Sequence, residues 1–207
     1  FGGTIAPRLI YSAGTVLHQE FVDGESYETR ARQGDNVFKA SGSILAEIHN
    51  HFKNNWPLRA CYQARFKKAF KLARTILETE QISPVFKVSW KVISEFSSRR
   101  IHGDFWLGNI IGKPGKKPKV IDWEFSGIGS PYEDFAIVEL WIFREFPGSS
   151  KDFWAGYGKT PDQKTINSFL ILRCVEFLAT TTIEKYLLEE RDGFYHNKVE
   201  VLRTLLQ

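Results

Sequence analysis

The sequence predicts an α+β chain, mainly helical, with short β-hairpins at two places. Two observations carry this. Apolar runs flank glycine-bearing turns around residues 13–14 and 112–118, a hairpin pattern. Over most of the remaining chain apolar residues recur at helical spacing, as in Ile44, Leu45, Ile48 and Phe52.

In chain order, Arg8 to Gly24 reads as two strands around Ala13-Gly14. Ser41 is placed to cap a helix whose apolar face is Ile44, Leu45, Ile48 and Phe52. His49 on that helix is most simply a packing or hydrogen-bonding histidine. A longer helix spans about Leu58 to Thr79, where Arg65, Lys67, Lys68, Lys71 and Arg74 alternate with apolar residues. That is a solvated face rather than a nucleic-acid stripe. Pro84 opens another helix, which places Val85, Val88, Val92, Ile93 and Phe96 inward and ends before Arg99-Arg100. Ile110-Ile111 and Lys119-Val120-Ile121 flank the basic Gly112–Pro118 turn as the second hairpin. A loop follows, then a helix over Pro131–Phe146, and further helices over Thr160–Leu188 and Phe194–Leu206 broken at Asp192-Gly193.

The chemistry-bearing stretch is Ile101-His-Gly-Asp-Phe-Trp-Leu-Gly-Asn109, followed by Val120-Ile-Asp-Trp-Glu124. Phosphoryl transfer from ATP asks a protein to orient the acceptor hydroxyl with a carboxylate and to neutralise triphosphate charge through metal. Magnesium takes hard oxygen ligands, commonly one or two side chains with phosphates and waters. Asp104 suits the first task, and Asn109 and Asp122 suit the second. The hairpin sets Asn109 at the entrance of one strand and Asp122 at the exit of the other, so both can converge on one ion. Taken singly, Asp104 and Asn109 could be turn or cap residues and Asp122 a strand end. Taken together in this spacing, they favour the functional reading.

The segments His102-Gly103-Asp104, Asn109, Val120-Ile121-Asp122-Trp123-Glu124 and Gly127-Ile128-Gly129-Ser130-Pro131-Tyr132-Glu133-Asp134-Phe135-Ala136 resemble the aminoglycoside phosphotransferase and choline kinase-like family, relatives of the protein kinases. The likeness is tight over 101–136 and loose from about Pro7 to the C-terminus. It implies that Asp104 is the catalytic carboxylate, that Asn109 and Asp122 are metal ligands, and that His102 and Asp134 support the loop structurally. Leu107 stands where many relatives have proline, a departure that removes no chemical group. The implied cofactors are Mg2+ and ATP as co-substrate. Glu20, Phe21 and Val22 become the hinge that meets adenine. Residues 1–24 then form the end of a small lobe and the hinge, and residues 25–207 the helical catalytic lobe, with catalytic loop 101–109 and metal strand 119–124.

A kinase also grips ATP with a glycine-bearing hairpin and a strand lysine paired to a helix glutamate. Neither is legible, and Phe1-Gly2-Gly3 is too short for a phosphate loop. With no methionine in the chain, these gaps suggest the catalytic lobe of a longer enzyme, inactive or very slow alone. A chain of 207 residues suits one sizeable domain or a lobe with an appendage. The composition, 43% hydrophobic and 25% charged with a net charge of +4, fits a soluble cytoplasmic protein. No apolar run spans a membrane and no signal-peptide pattern opens the chain. Cys61 and Cys174 show no metal-site spacing and read as free thiols. Lys113, Lys116, Lys117 and Lys119 form a solvated turn able to steer an anionic ligand.

The expected partners are a nucleotide and a small-molecule hydroxyl acceptor, with no nucleic acid and no membrane. Trp141, Phe143, Trp154 and Tyr157 would suit a quaternary ammonium. Glu139, Glu145, Glu176 and Glu184 would suit an amino-sugar. Core packing and solvated carboxylates explain both sets more simply. The main alternative is a non-catalytic, kinase-derived binding module without a small lobe. A magnesium-dependent hydrolase is a weaker one.

Overall fold

The computed structural model describes residues 5–14, 16–51, 62–65, 67, 68, 71, 98–184 and 204. The expected helix after Pro84, Cys61, the segment 194–206 apart from residue 204, and Phe1-Gly2-Gly3 lie outside the described residues. The chain divides into two units: 1–53 with 99–128 and 137–160, and 54–98 with 129–136 and 161–207.

The first unit opens with the antiparallel strands β1 (Leu9–Ala13) and β2 (Val16–Gln19), joined through Gly14 at φ +57°. Leu9, Ile10 and Tyr11 are each more than half exposed. A second sheet orders β3 (Glu25–Ser26), β5 (Ile110–Gly112) and β6 (Lys119–Val120), all antiparallel. The basic turn thus makes the hairpin expected of it, and the two-residue β3 adds an edge strand that the sequence pattern did not show. β4 (Arg99–Ile101) pairs with β7 (Gly127–Gly129), a strand where a loop was expected.

Ser26 caps the short α1 (Tyr27–Arg32), its Oγ accepting the Thr29 N–H at 3.1 Å. Helix α2 (Phe38–His51) begins three residues before the expected cap. Ser41 lies inside it, buried, and its hydroxyl donates to Val37 O at 2.9 Å, an interior back-bond rather than a cap. The buried positions 41, 42, 44, 45, 48 and 49 keep the i, i+3, i+4 spacing of one helix face. Leu45 and Ile48 are fully buried, each stabilising by about 1.5–3 kcal/mol.

That face meets α4 (Ser150–Tyr157), a helix the sequence pattern did not reveal. The two backbones touch at glycines. A Cβ on Gly42 would lie 2.0 Å from Phe153 O, and one on Gly156 1.9 Å from Lys39 O. Ser43 Oγ donates to Gly156 O at 3.1 Å across the same crossing. His49 packs here as a buried residue, its Nδ1 2.9 Å from Tyr157 Oη.

The helix expected over Pro131–Phe146 is α3 (Pro131–Val138) followed by a wider π-helical turn, Glu139–Phe143. In the second unit α5 (Gln163–Glu184) buries Phe169, Leu170, Ile171 and Leu172 consecutively, so it is enclosed on every side there. Asp162 caps it, its Oδ2 accepting from Thr165 N at 2.8 Å. Residues 62–65, 67, 68 and 71 are helical, as expected, and Lys67, Lys68 and Lys71 are exposed. Arg65 leaves that solvated face for a network of carboxylates.

Candidate active site

The loop from β4 to β5 carries the site, and its shape follows from one glycine and one histidine. Gly103 takes φ +85°, open to glycine without steric cost. It also lets Phe125 O approach to where a Cβ would stand 2.2 Å away. This bend turns the Asp104 N–H back to His102 Nδ1 at 3.3 Å. His102 Nε2 lies 3.0 Å from Ile121 O. A peptide N–H can only donate and a carbonyl only accept, so the tautomer is fixed with the proton on Nε2. The ring is fully buried, 4.7 Å from the Trp123 ring, and Trp123 Nε1 donates to Val120 O at 2.6 Å.

Asn109 ends a 3-10 turn, Leu107–Asn109, and is buried to 6% exposure. Its Nδ2 donates to Asp104 O at 2.9 Å and to Asp104 Oδ2 at 3.2 Å. Both partners are acceptors, so the amide orientation is determined, with its nitrogen turned to Asp104. Ile121 N donates to Asn109 O at 2.9 Å, extending the β5–β6 ladder by one pair. The backbones of 109 and 121 are thereby joined, and Asp122 is next. Asp122 is exposed and adopts φ +61°, the one non-glycine residue at positive φ among the described residues. Such strained backbone persists where the surroundings over-determine it and gathers at functional sites.

The structure therefore brings Asp104, Asn109, His102 and the backbone of Asp122 into one assembly within the first unit. Asp122 lies two residues past the end of β6 rather than within a strand. Glu20, Phe21 and Val22 form the extended segment after β2, where Glu20 N donates to Arg8 O at 2.9 Å and Phe21 is 88% exposed. Lys113 pairs with Asp23 and Lys117 with Glu47, so two of the four turn lysines are held in ion pairs.

Asp134 lies in the second unit, fully buried in the first turn of α3. A network that sequence reasoning missed locks this turn. Ser130 N donates to Tyr62 Oη at 2.7 Å, and Tyr62 Oη donates to Glu133. Arg65 NH1 reaches Glu133 Oε2 at 2.9 Å, while its Nε and NH2 grip Glu176 at 2.9 Å each. Burial, then the Glu133 carboxylate, push the Tyr62 hydroxyl far above its ordinary range. For Arg65, burial opposes the charge, but Glu176 and Glu133 outweigh it and raise its pKa. The only sequence signal was Arg65 and Glu133 falling within apolar surroundings.

Of the aromatic set Trp154 is buried, and Trp141, Phe143 and Tyr157 are half-buried; Phe143 packs edge-on to Trp154 at 5.4 Å, and Trp154 on Tyr157 at 6.0 Å. Glu145 pairs with Arg32 and Glu176 with Arg65. Cys174 is fully buried in α5. No helix among the described residues is long and apolar enough to cross a membrane.

Solved structures share this fold. Choline kinase LicA from Streptococcus pneumoniae aligns with TM-score 0.69 at 16% identity, over 98% of this chain and 74% of that one. A choline/ethanolamine kinase family protein from Mesorhizobium loti aligns with TM-score 0.65 at 13% identity, over 97% and 72%. An ADP-bound aminoglycoside phosphotransferase aligns with TM-score 0.59 at 14% identity, over 99% and 77%. No curated protein sequence matches at a significant level. At such identities these likenesses establish the protein-kinase-like fold. Residues 6–166, most of the chain and all of the loop just described, match the phosphotransferase enzyme family, and the chain belongs to that family.

Proposed function

We propose that this chain carries the catalytic residues of a kinase that moves the γ-phosphate of ATP to a hydroxyl of a small molecule. The observation that carries the reading is the double hydrogen bond from Asn109 to Asp104, continued through Asn109 O to Ile121 N beside Asp122. Family membership and an ADP-bound neighbour support it.

Asp104, half-buried, accepts the acceptor's hydroxyl proton as its oxygen bonds to the γ-phosphorus. The bond from that phosphorus to the β–γ bridging oxygen breaks, and ADP leaves. Asn109 and Asp122 would hold magnesium. They present an amide oxygen and a carboxylate, the hard donors it takes, and Asn109 is oriented for this because its nitrogen is committed to Asp104. No group of three or more His, Cys, Asp or Glu side chains is gathered as a cage among the described residues. That suits an ion which completes its shell with phosphates and waters. When bound, magnesium neutralises charge developing on the phosphates. His102 and Asp134 hold shape, and the segment Glu20–Val22 serves as the hinge for adenine. On this reading residues 1–24 close a small lobe, residues 25–207 form the catalytic lobe, and the protein works in the cytoplasm, where ATP is abundant. The acceptor class is a choline-like, sugar-like or aminoglycoside alcohol.

The test is Asp104→Asn in the protein as encoded in full, with release of ADP followed across a panel of small alcohols and amino-sugars. Loss of the base should lower turnover by about 10²–10⁴-fold while folding is kept. Turnover equal to wild type would refute the assignment. Asp122→Ala should weaken magnesium-dependent ADP binding in calorimetry, and unchanged affinity would remove its metal role.

A further inference from the structure

We infer that Trp106 is a positioning residue, whose indole holds the Leu107–Asn109 turn by lying on Gly108; its effect on turnover rests on the function proposed above. The turn that delivers Asn109 has a glycine at its centre. Gly108 is the residue with the widest backbone freedom, and no side chain of the turn's cap hydrogen-bonds to it. What occupies the space over Gly108 is a ring. A Cβ at 108 would stand 2.2 Å from Trp106 Cη2 and 2.5 Å from its Cζ2 and Cζ3, so the indole rests directly on the glycine. Trp106 itself is extended, with φ −141° and ψ 169°, and its carbonyl accepts the Asn109 N–H at 3.1 Å. One residue thus closes the turn from both sides, by backbone below and ring above.

Leu107, 1% exposed, fixes the turn on its inner side, while Trp106 is only half-buried. The ring therefore adds less to the core than to the turn. Asn109 passes the constraint on, because its Nδ2 holds both oxygens of Asp104 named above. Loosening the turn lets the carboxylate swing, although Trp106 lies two residues from it and donates no group to chemistry.

The test compares Trp106→Ala, Trp106→Phe, Gly108→Ala and the Trp106→Ala/Gly108→Ala pair. The first readout is hydrogen exchange of the Asn109 amide, which reports the turn whether or not the protein is a kinase. Trp106→Ala should exchange about tenfold faster there, equivalent to about 1.4 kcal/mol of local protection, with the amides of α2 unchanged. Trp106→Phe should recover most of the protection. Gly108→Ala should also accelerate exchange, by displacing the ring, but should add nothing once Trp106 is alanine. Exchange within twofold of wild type in Trp106→Ala, or an undiminished Gly108→Ala effect in the pair, would overturn the inference. The second readout is kinetic: kcat should fall in Trp106→Ala with the KM for ATP nearly unchanged, and Trp106→Phe should restore it. Faster exchange with unaltered kcat would overturn the positioning role, provided Asp104→Asn is inactive. If Asp104→Asn is fully active, the proposed function itself fails, and the exchange result still judges the turn.

Discussion

Replacing Arg65 by methionine isolates the network that locks the start of α3. Methionine keeps much of the apolar stem and removes only the charged fork. The fork makes one bond to Glu133 and two to Glu176, all at 2.9 Å. Glu133 is 4% exposed, so its carboxylate is left inside with the Tyr62 hydroxyl donating to it. Breaking a buried pair in this way costs about 3–5 kcal/mol, mostly from the stranded charge. The Glu176 side is about a quarter exposed and keeps Arg173 at 3.5 Å, so it contributes little to that sum. The lower end, about 3 kcal/mol, is therefore expected, a fall of about 6–12 °C in Tm for a chain of this size.

Urea unfolding at neutral pH, followed by circular dichroism, measures this cost. The Arg65→Met/Glu133→Gln pair should lose less than Arg65→Met alone. A loss below about 1 kcal/mol at neutral pH, or a pair no better than the single variant, would refute the stranded-charge argument.

Tyr62 gives a test that depends on pH. Its folded pKa is raised above the usual value near 10, so its contribution is complete below pH 10 and is lost as pH rises above it. Absorbance near 295 nm should show one tyrosine ionising only with unfolding, and Tyr62→Phe should remove that component. Gly42→Ala and Gly156→Ala should each force α2 and α4 apart and destabilise by about 1–3 kcal/mol or more, as read by thermal melts, because the clashing partner is backbone. Gly103→Ala combines overlap with Phe125 O and an alanine at φ +85°, the latter alone costing about 1–2 kcal/mol. It should lower ADP release more than it lowers Tm.

The site loop was legible because its chemistry is written in spacing: Asp104, Asn109 and Asp122 stand at intervals that a hairpin brings together. The hairpins were legible because Gly14 and the Gly112–Pro118 turn interrupt apolar runs. What escaped was short or ambiguous. β3 is two residues, too few to show alternation. Ser41 has the side chain of a cap but the environment of a helix interior, and only the Val37 carbonyl distinguishes them. α4 is eight residues, and two of its aromatic residues, Trp154 and Tyr157, drew attention as a pocket; Trp154 is buried and packs on Phe153, while Tyr157 is half-buried. The Arg65 network was hidden because its members lie 68 and 111 positions apart, and partners that distant carry no local signature.

Ile121 spends both of its peptide groups, the N–H on Asn109 O and the C=O on His102 Nε2. The message passed between the two loops is therefore written in main chain, and the alkyl group at 121 is a bystander to it. Drift from isoleucine to valine or leucine at this position would leave the alignment of the two aspartates intact. The neighbouring position has no such latitude, since its left-handed backbone admits asparagine or glycine but rejects every β-branched residue. Adjacent residues in one short loop thus live under opposite rules of substitution, one indifferent to the alkyl group it carries and the other bound by torsion.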